Sequence, residues 1–288
     1  MSALTLKQLL ERDQILVVPA SYDMVSARIV ERAGFEAVYL SGYGHAASHL
    51  GLPDAGLISF SEMLERVHNL VRSVSIPVLA DADTGFGGVI NVRRTIEEYE
   101  WAGAQAIQIE DQEIPKKCGH TSGKRLVDAG EMAKKIEAAV ASRRSDQFLI
   151  IARTDALSVL GFDEAVRRGK LYEAAGADIL FVESPLNLQQ IRQIPPAFVR
   201  PVMINQIERG KTPLLPVQEL QLLGYKIVAY ALTALMASVG AMQKTLQCLR
   251  QTGSTEGYLN EVATFEQLDE LLGFPEVRAW EKRFQNRE

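Results

Sequence analysis

A short pattern of residues occurs three times along the chain and limits the folds available to it. In residues 31–40, 100–109 and 172–181, a stretch of helical composition ends at a glycine, and an apolar run of strand type follows directly. Glycine commonly ends helices because it adopts positive φ at little cost. A fainter fourth copy spans residues 222–230. A helix followed at once by a buried strand is the repeating unit of parallel α/β proteins.

Four further apolar runs lie between these copies. They are residues 15–19, 76–80, 148–152 and 201–204. Runs that are apolar throughout, rather than alternating, suit a parallel sheet covered on both faces. Eight such strands separated by helical stretches, in roughly 250 residues, predict a closed (β/α)₈ barrel of the TIM type. An open doubly wound sheet is the alternative, but no G-x-G-x-x-G follows the first strand to support dinucleotide binding.

The last part of the chain has the pattern of amphipathic helices. Its apolar positions include Phe265, Leu268, Leu271, Leu272 and Phe274. No linker rich in Pro, Gly or Ser divides the chain, so we predict a single domain over residues 1–288, of which about 254–288 form a C-terminal helical extension. The apolar faces of these helices need a partner surface, and we expect another subunit to supply it.

Charge and cysteine content exclude several classes of function. The 288 residues carry a net charge of −5 without a basic block, so nucleic acid is not an expected partner. No apolar run approaches the ~18 residues of a membrane span, and the N-terminus has no apolar signal segment. Cys118 and Cys248 are the only cysteines, which argues for a reducing compartment. We therefore expect a cytoplasmic protein that contacts neither nucleic acid nor a membrane.

Six candidate strands are followed directly by a polar or charged residue. These residues are Ser41, Asp81, Glu110, Arg153, Glu183 and Asn205. The active site of a parallel barrel lies at the carboxyl ends of its strands, so we expect one rim to gather all six side chains. The sequence therefore predicts an active site on that rim.

Acidic residues are concentrated on neighbouring strand ends of this rim. Asp81, Asp83 and Glu110 follow the third and fourth strands, and Asp54 follows the second. Several carboxylates in one cleft repel one another unless a cation joins them. Oxygen ligands without clustered histidines favour Mg²⁺, with Mn²⁺ as the alternative, over zinc. We predict a hard-metal site here.

One polar loop carries both a thiol and an imidazole. Cys118 and His120 follow the fourth strand, which ends in two carboxylates. A thiol and an imidazole beside carboxylates are typical of proton transfer. Structural zinc is disfavoured, because Cys-x-His lacks a second pair of ligands. A surface turn that happens to contain Cys and His is the alternative interpretation.

Seven motifs within about residues 15–240 resemble those of the isocitrate lyase/phosphoenolpyruvate mutase superfamily. They are Ser41-Gly42, Leu52-Pro53-Asp54, Asp81-Ala-Asp-Thr-Gly85, Ile109-Glu-Asp-Gln112, Lys116-Lys-Cys-Gly-His120, Ile151-Ala-Arg-Thr-Asp155 and Asn205-x-x-Glu208-x-Gly210-x-Thr212-Pro213. The Lys-Lys-Cys-Gly-His loop resembles the branch that cleaves C–C bonds. The resemblance implies a Mg²⁺-dependent lyase, acting on a 2-hydroxy acid with a second carboxylate and releasing pyruvate or glyoxylate.

The resemblance also implies roles for individual residues. Those expected to hold the substrate are Ser41, Gly42, Tyr43, Gly119, Arg153, Glu183 and Asn205. Those expected to bind Mg²⁺ directly or through water are Asp81 and Asp83, with Asp54 and Glu110 in an outer or shared shell. Those expected to close over the substrate are Cys118, Gly119 and His120. A homotetramer with exchanged C-terminal helices is implied as well.

The remaining expectations concern the substrate and the residues that transfer protons. Methylisocitrate lyases, which this chain resembles, place an Arg after the last strand, where Met236 stands here. A thioether leaves an extra carboxylate unpaired, so we expect a 2-alkylmalate such as 2,3-dimethylmalate, with a methylisocitrate-like dicarboxylate as the other lyase substrate. Oxaloacetate hydrolysis and P–C bond chemistry on carboxyphosphonoenolpyruvate or phosphonopyruvate are the alternatives. Tyr43 is the first candidate for the general base and Tyr39 the second, while Cys118 carries the proton as thiol or thiolate.

Overall fold

The backbone closes into a barrel of parallel strands. The computed structural model describes residues 4–285. The strands are β1 Leu16–Ser21, β2 Val38–Leu40, β3 Val78–Asp81, β4 Ala106–Glu110, β5 Leu149–Thr154, β6 Ile179–Val182, β7 Val202–Asn205 and β8 Ile227–Tyr230. Each strand pairs in parallel with the next, and β8 pairs with β1 to close the sheet. The (β/α)₈ barrel predicted from the sequence is confirmed.

Helices connect the strands and continue beyond the last one. They are α1 Leu6–Leu10, α2 Met24–Arg32, α3 Gly42–Leu50, α4 Phe60–Ser73, α5 Val89–Trp101, α6 Ala129–Ser142, α7 Phe162–Ala174, α8 Leu188–Gln193, α9 Val217–Leu222, α10 Thr233–Thr252, α11 Phe265–Leu272 and α12 Phe274–Gln285. Side-chain caps set several helix starts: Ser59 accepts a hydrogen bond from the backbone N–H of Glu62 at α4.

The glycines of the repeated pattern are the points at which helix gives way to strand. Gly34, Gly103, Gly176 and Gly224 have φ values of 88°, 95°, 100° and 98°. Side chains with a Cβ rarely adopt this left-handed conformation, so glycine ends the helix and turns the chain into the sheet. The spacing that predicted the barrel therefore reflects a backbone requirement.

Two apolar layers stabilise the barrel. Inside it, Leu79, Ile151 and Met203 pack in one cluster with Leu6 and Leu9 of α1. Between sheet and helices, fully buried side chains such as Tyr99 and Met132 form a second cluster. Dense apolar packing of this kind holds the strands rigidly, so the rim residues are presented in fixed positions.

The chain divides into two compact units. The first ends at Ala234 and contains the barrel, and the second begins at Leu235. The second unit therefore includes most of α10, and it begins earlier than the predicted start of the extension near residue 254. Its apolar side chains Met242, Leu246 and Trp280 are 54%, 62% and 63% exposed. Within residues 4–285, none of the helices has the length and apolar character needed to span a membrane.

Candidate active site

The polar rim residues predicted from the sequence surround one cleft. The predicted residues that line it are Tyr39, Ser41, Tyr43, Asp54, Asp81, Cys118, Gly119, His120, Arg153, Glu183 and Asn205. Gly42, Asp83 and Glu110 lie buried behind this lining. Eight parallel strands thus bring together side chains that are up to 166 positions apart in the chain, from Tyr39 to Asn205.

A buried lysine neutralises one group of carboxylates. Lys116 Nζ lies 2.5 Å from Asp54 Oδ1 and 2.8 Å from Asp83 Oδ1. Burial alone would lower the pKa of this ammonium, but Asp83, Glu110 and the other carboxylates outweigh it and raise the pKa well above its ordinary value. Lys116 was not assigned a role from the sequence. The sequence feature that could have identified it is the pair of adjacent lysines directly before Cys118, on a loop that faces four acidic residues.

Asp81 is held by backbone donors rather than by a cation. The backbone N–H of Gly42 donates to Asp81 Oδ2 at 3.2 Å, and that of Asp83 donates to Asp81 Oδ1 at 3.0 Å. A Cβ on Gly42 would lie 2.7 Å from Asp81 Oδ2 and 3.5 Å from Asp83 Oδ1. Glycine at position 42 therefore leaves open the space that the two carboxylates face.

These carboxylates meet the requirements of a hard divalent cation. Within residues 4–285, no three His, Cys, Asp or Glu side chains enclose a metal position by themselves. Mg²⁺, however, is commonly held by one or two carboxylates together with several waters. Burial raises the pKa of Asp83 to about 6 despite Lys116, and it raises that of Glu110 well above its ordinary value. A bound cation would remove this excess of negative charge, so Asp81 and Asp83 fit the predicted metal site.

Arg153 lies at the centre of a second charged group. Sheet register places Glu110 beside Arg153 on neighbouring strands. Arg153 donates from Nε to Asp155 Oδ2 at 3.0 Å and from Nη2 to Asp155 Oδ1 at 3.1 Å, a two-point contact. Its Nη1 lies 3.2 Å from Glu110 Oε2 and 3.4 Å from Glu183 Oε2. The guanidinium is thus fixed by carboxylates on three sides and faces the cleft.

The loop after β4 is folded down over the barrel mouth. The backbone N–H of Cys118 donates to Asp54 O at 3.2 Å, and Ser184 Oγ donates to Gly119 O at 3.2 Å. A Cβ on Gly119 would lie 2.5 Å from both Arg153 Nη2 and Glu183 Cγ. Only glycine permits this approach, so the chain adopts a closed arrangement of the segment 113–125, which we call the lid.

His120 joins the lid to the far wall of the cleft. Its Nδ1 accepts a hydrogen bond of 3.0 Å from the backbone N–H of Lys211. Neutral imidazole then carries its proton on Nε2, which lies 3.2 Å from Glu183 Oε1. Burial opposes ionisation of Glu183, but Arg153 and the His120 hydrogen bond outweigh it and lower the pKa of Glu183 well below its ordinary range.

The environment of Cys118 keeps its sulfur protonated. Burial raises the pKa of the thiol, the negative charges of Asp54 and Glu183 add to this effect, and the backbone N–H of His120 and Arg153 only partly oppose it. At neutral pH the group is a thiol, an acid able to give up a proton. Of the two forms left open by the sequence, this environment favours the thiol.

The two candidate tyrosines differ in their surroundings. Tyr39 is 4% exposed, and burial together with the charge of Asp81 raises its pKa well above the ordinary value. A phenol of this kind holds its proton too firmly to serve as a general base near neutral pH. Tyr43 is half-buried in the first turn of α3 and lines the same cleft. Of the pair, Tyr43 is the better placed for proton abstraction.

The region after β8 differs from the sequence interpretation. The residues that line the cleft there are Ala231 and Leu232, joined by Ile207 after β7. Met236, proposed from the sequence to face the third arm of the substrate, belongs to the second unit and is 44% exposed. An apolar wall is therefore present in the first unit, formed by residues that were not identified from the sequence.

A cluster of carboxylates, an arginine and a thiol lies at the carboxyl end of this barrel. That is where enzymes of this fold have their active sites. The family model of phosphoenolpyruvate phosphomutase matches residues 6–250. The chain therefore belongs to this family, within the PEP mutase/isocitrate lyase superfamily. Its lyase relatives, together with the family match, make it a carbon–carbon lyase.

Curated relatives match this chain over nearly its whole length. The 2,3-dimethylmalate lyase of Eubacterium barkeri is 42% identical over 98% of both chains. A 2-methylisocitrate lyase of Aeropyrum pernix is 44% identical over 97% of this chain and 89% of its own. These two proteins carry different activity names at similar identity, so sequence identity alone does not select the substrate.

Solved structures agree with the fold. Oxaloacetate acetylhydrolase in complex with 3,3-difluorooxalacetate superposes with a TM-score of 0.93 at 34% identity, covering 98% of this chain and 96% of that one. Phosphonopyruvate hydrolase in complex with oxalate and Mg²⁺ superposes with a TM-score of 0.88 at 33% identity, covering 98% of each chain. The same barrel thus supports several activities on small oxo acids.

Proposed function

We propose that this protein is a Mg²⁺-dependent lyase that cleaves 2-alkylmalates, with 2,3-dimethylmalate as the representative substrate, to a 2-oxo acid (pyruvate from 2,3-dimethylmalate) and a second carboxylate. The observation that carries the proposal is the division of the cleft into two walls. One wall is charged and contains Arg153 and Asp81, whereas Ile207, Ala231 and Leu232 make the other apolar. A substrate with an oxygen-rich end and an alkyl arm matches both walls.

Each part of the substrate has a partner in the cleft. Arg153 is the cation that would face the bound carboxylate, and Ser41 and Tyr43 at the start of α3 line the same cleft. Asn205 lines the far wall, and its side-chain oxygen has no hydrogen-bond donor in the part of the chain that the structure describes. The substrate hydroxyl or a carboxylic proton is a suitable donor for that oxygen.

Metal chemistry would act at the carboxylate pair. Asp81 and Asp83 would hold Mg²⁺, and the bound ion would supply positive charge that draws electron density from the substrate oxygens. Lys116 pairs with Asp83 and partly offsets the rise that burial causes in the pKa of this carboxyl.

Cleavage requires one proton to be removed and one to be added. Tyr43, acting as its phenolate, takes the proton of the 2-hydroxyl and releases it to solvent after turnover. The C2–C3 bond breaks, and C2 becomes the carbonyl carbon of pyruvate. The electron pair of the broken bond remains on C3 as an enolate of its own carboxylate. Cys118 gives its thiol proton to C3, which completes the second product, and the thiolate then recovers a proton from solvent. The closed lid excludes water while the enolate exists.

A substrate panel tests this proposal. Purified protein with Mg²⁺ is assayed for pyruvate, glyoxylate, oxalate and acetate against 2,3-dimethylmalate, other 2-alkylmalates, methylisocitrate, isocitrate, oxaloacetate and phosphonopyruvate. We expect dimethylmalate to be cleaved with a specificity constant about tenfold or more above that for methylisocitrate, because an apolar pocket discriminates at this level. Ile207→Asn is expected to reduce turnover of alkylmalates more than turnover of oxaloacetate. Cleavage of methylisocitrate with the higher specificity constant would refute the alkylmalate assignment.

Hydrolysis of oxaloacetate is the second candidate, because the oxaloacetate acetylhydrolase complex superposes with a TM-score of 0.93. It uses the same charged wall but requires water to attack the carbonyl carbon. Formation of oxalate and acetate, without cleavage of any alkylmalate, would establish it. Release of pyruvate from phosphonopyruvate would instead establish P–C bond chemistry.

We also propose that four copies assemble and that the apolar faces of the second unit lie between them. The supporting observation is the exposure of α10 and α12, where Leu246 is 62% and Trp280 63% exposed. Such faces are seldom left in water. Light scattering after size-exclusion chromatography measures the assembly directly. A monomer of 31.8 kDa would refute the proposal.

The expected cellular location is the cytoplasm. Cys118 and Cys248 are both free thiols, as is usual in a reducing compartment. Fractionation of the producing cells followed by immunodetection tests this. Recovery in a secreted or membrane fraction would contradict it.

A further inference from the structure

A buried lysine connects the lid to the floor of the site. Lys124 Nζ donates to the carbonyl oxygen of Gly119 at 2.6 Å and to Asp155 Oδ1 at 2.6 Å. Its side chain is 1% exposed. Gly119 is the lid residue that follows Cys118, whereas Asp155 comes directly after β5 of the barrel. One ammonium therefore bridges the lid and the rigid barrel.

Asp155 is a firmly held anchor for this bridge. Its backbone N–H donates to Asp111 Oδ1 at 2.9 Å. Asp111 Oδ2 in turn accepts from Thr154 Oγ1 and Tyr172 OH, each at 2.7 Å, and from Arg168 Nη1 at 3.1 Å. Every one of these groups is buried. A fully connected buried network resists movement, so the end of the bridge on the barrel is fixed.

The same carboxylate also orients Arg153. Asp155 Oδ1 accepts from Arg153 Nη2 at 3.1 Å as well as from Lys124. When two cations share one carboxylate, each is neutralised less completely than it would be alone. Arg153 accordingly keeps positive charge for a substrate carboxylate while Lys124 is in place. If the lid opens, Lys124 moves away with it. Arg153 then pairs with Asp155 without competition from Lys124.

We propose that Lys124 is a positioning residue that latches the lid to the Arg153–Asp155 pair, so that closure of Cys118 over the cleft and the orientation of Arg153 occur together. The effect on turnover rests on the lyase function proposed above. The latch itself does not rest on that function, because it predicts how accessible the Cys118 thiol is to a reagent.

Cys118 reports the position of the lid directly. The chain has two cysteines, so Cys248→Ser leaves Cys118 as the single thiol. In that background, Lys124→Met removes the latch at nearly constant volume. Lys117→Met is the matched control, because Lys117 is an exposed lysine of the same loop. The rate of modification of Cys118 by 5,5′-dithiobis(2-nitrobenzoic acid) is measured for each protein at several pH values.

We expect Lys124→Met to react about tenfold faster or more, since a buried hydrogen bond from a charged donor to the lid is lost. Lys117→Met is expected to react at the parent rate. A ratio of rates that is the same at every pH identifies greater access to the thiol rather than a change in its pKa. Equal rates for Lys124→Met and the parent, or equal acceleration by both lysine substitutions, would overturn the latch.

Two further measurements separate a latch from a purely structural role. Lys124→Arg retains the charge and is expected to restore slow modification. If Lys124→Met does not fold, Lys124→Gln takes its place against Lys124→Arg. With an active substrate from the panel, Lys124→Met is expected to lower kcat, because Cys118 no longer closes over the cleft, and to raise KM, because Arg153 then binds the substrate carboxylate less well. A fall in Tm with no change in thiol reactivity would show that Lys124 only stabilises the fold. If no substrate turns over, the lyase proposal fails while the thiol rates still decide the latch.

Discussion

Lys116 Nζ lies 2.5 Å from Asp54 Oδ1, and both side chains are almost completely buried. The same ammonium reaches Asp83 at 2.8 Å. Breaking a buried ion pair leaves an unpaired charge in a poorly polarisable interior, which is more costly than losing a surface pair. This lysine therefore stabilises the very carboxylates that are proposed to hold the metal.

Lys116→Met is expected to destabilise the protein by about 3–5 kcal/mol in the absence of metal, because it leaves several buried carboxylates without their cation. Mg²⁺ is expected to restore more stability to this variant than to the parent. Urea unfolding with and without Mg²⁺ measures both effects. Lys117→Met, which removes an exposed lysine, serves as the control. An equal response of the two variants to Mg²⁺ would contradict the prediction.

Cys118→Ser is expected to reduce kcat by about 10²–10⁴-fold, because the hydroxyl is a much poorer acid at the position where C3 must be protonated. Binding of oxalate in the presence of Mg²⁺ should remain unchanged, since Arg153 and the carboxylates are intact. Calorimetric titration and single-turnover assays measure the two properties. Cys248→Ser controls for loss of a thiol elsewhere. Full activity of Cys118→Ser would exclude this residue as the proton donor.

Gly119→Ala is expected to prevent closure of the lid, since the new Cβ would lie 2.5 Å from Arg153 Nη2 and Glu183 Cγ. Turnover should fall, and Cys118 should become more reactive towards thiol reagents. Gly88→Ala is the control, because no atom lies within 4 Å of a Cβ at that position. The idea fails if Gly119→Ala retains both the parent kcat and the parent thiol reactivity.

His45 is expected to make the protein less stable in acid. It is fully buried, and Arg66 Nε donates to its Nδ1 at 2.9 Å. Burial, followed by the charge of Arg66, lowers the pKa of His45 from 6.5 to about 3. Between these two values the unfolded chain binds a proton on this imidazole and the folded chain does not. Stability that is present above pH 6.5 is therefore lost as pH falls towards about 3.

His45→Gln retains an acceptor for Arg66 and removes this titration. Between pH 6.5 and about pH 5, its free energy of unfolding is expected to fall by about 2 kcal/mol less than that of the parent. Denaturant unfolding at the two pH values measures the difference. His68→Gln, at an exposed position of α4, is the control. Identical pH slopes for all three proteins would refute the assignment.

The agreement between sequence and structure is strongest where a local rule applies. Gly103 and Gly176 signalled helix ends because positive φ is a property of the residue itself. The rim positions followed in turn, because parallel strands must end on one side of a barrel. Ser41, Asp81 and Asn205 were found by this reasoning, although Asp81 and Asn205 belong to their strands rather than following them.

Other parts of the site depend on burial and on distances that the sequence does not give. Lys116 and Lys124 are ordinary loop lysines in the sequence, and only the folded chain buries them among carboxylates. The sequence ranked Tyr43 ahead of Tyr39 as the base, but the burial and neighbouring charge that set Tyr39 apart are visible only in the structure. The apolar wall was assigned to Met236, whereas Ile207 and Leu232 line the cleft. Distances between separate βα units decide all these points.

The sequence by itself determined the barrel, the rim that carries the site and the inventory of chemical groups on it. These depend on backbone conformation and on the period of apolar residues, which are local properties. Only the tertiary structure decided which charged groups pair with one another, which buried groups keep their proton and where the lid lies. Those properties arise from burial and from distances of about 3 Å between residues far apart in the chain, where electrostatic energies are large and depend steeply on position.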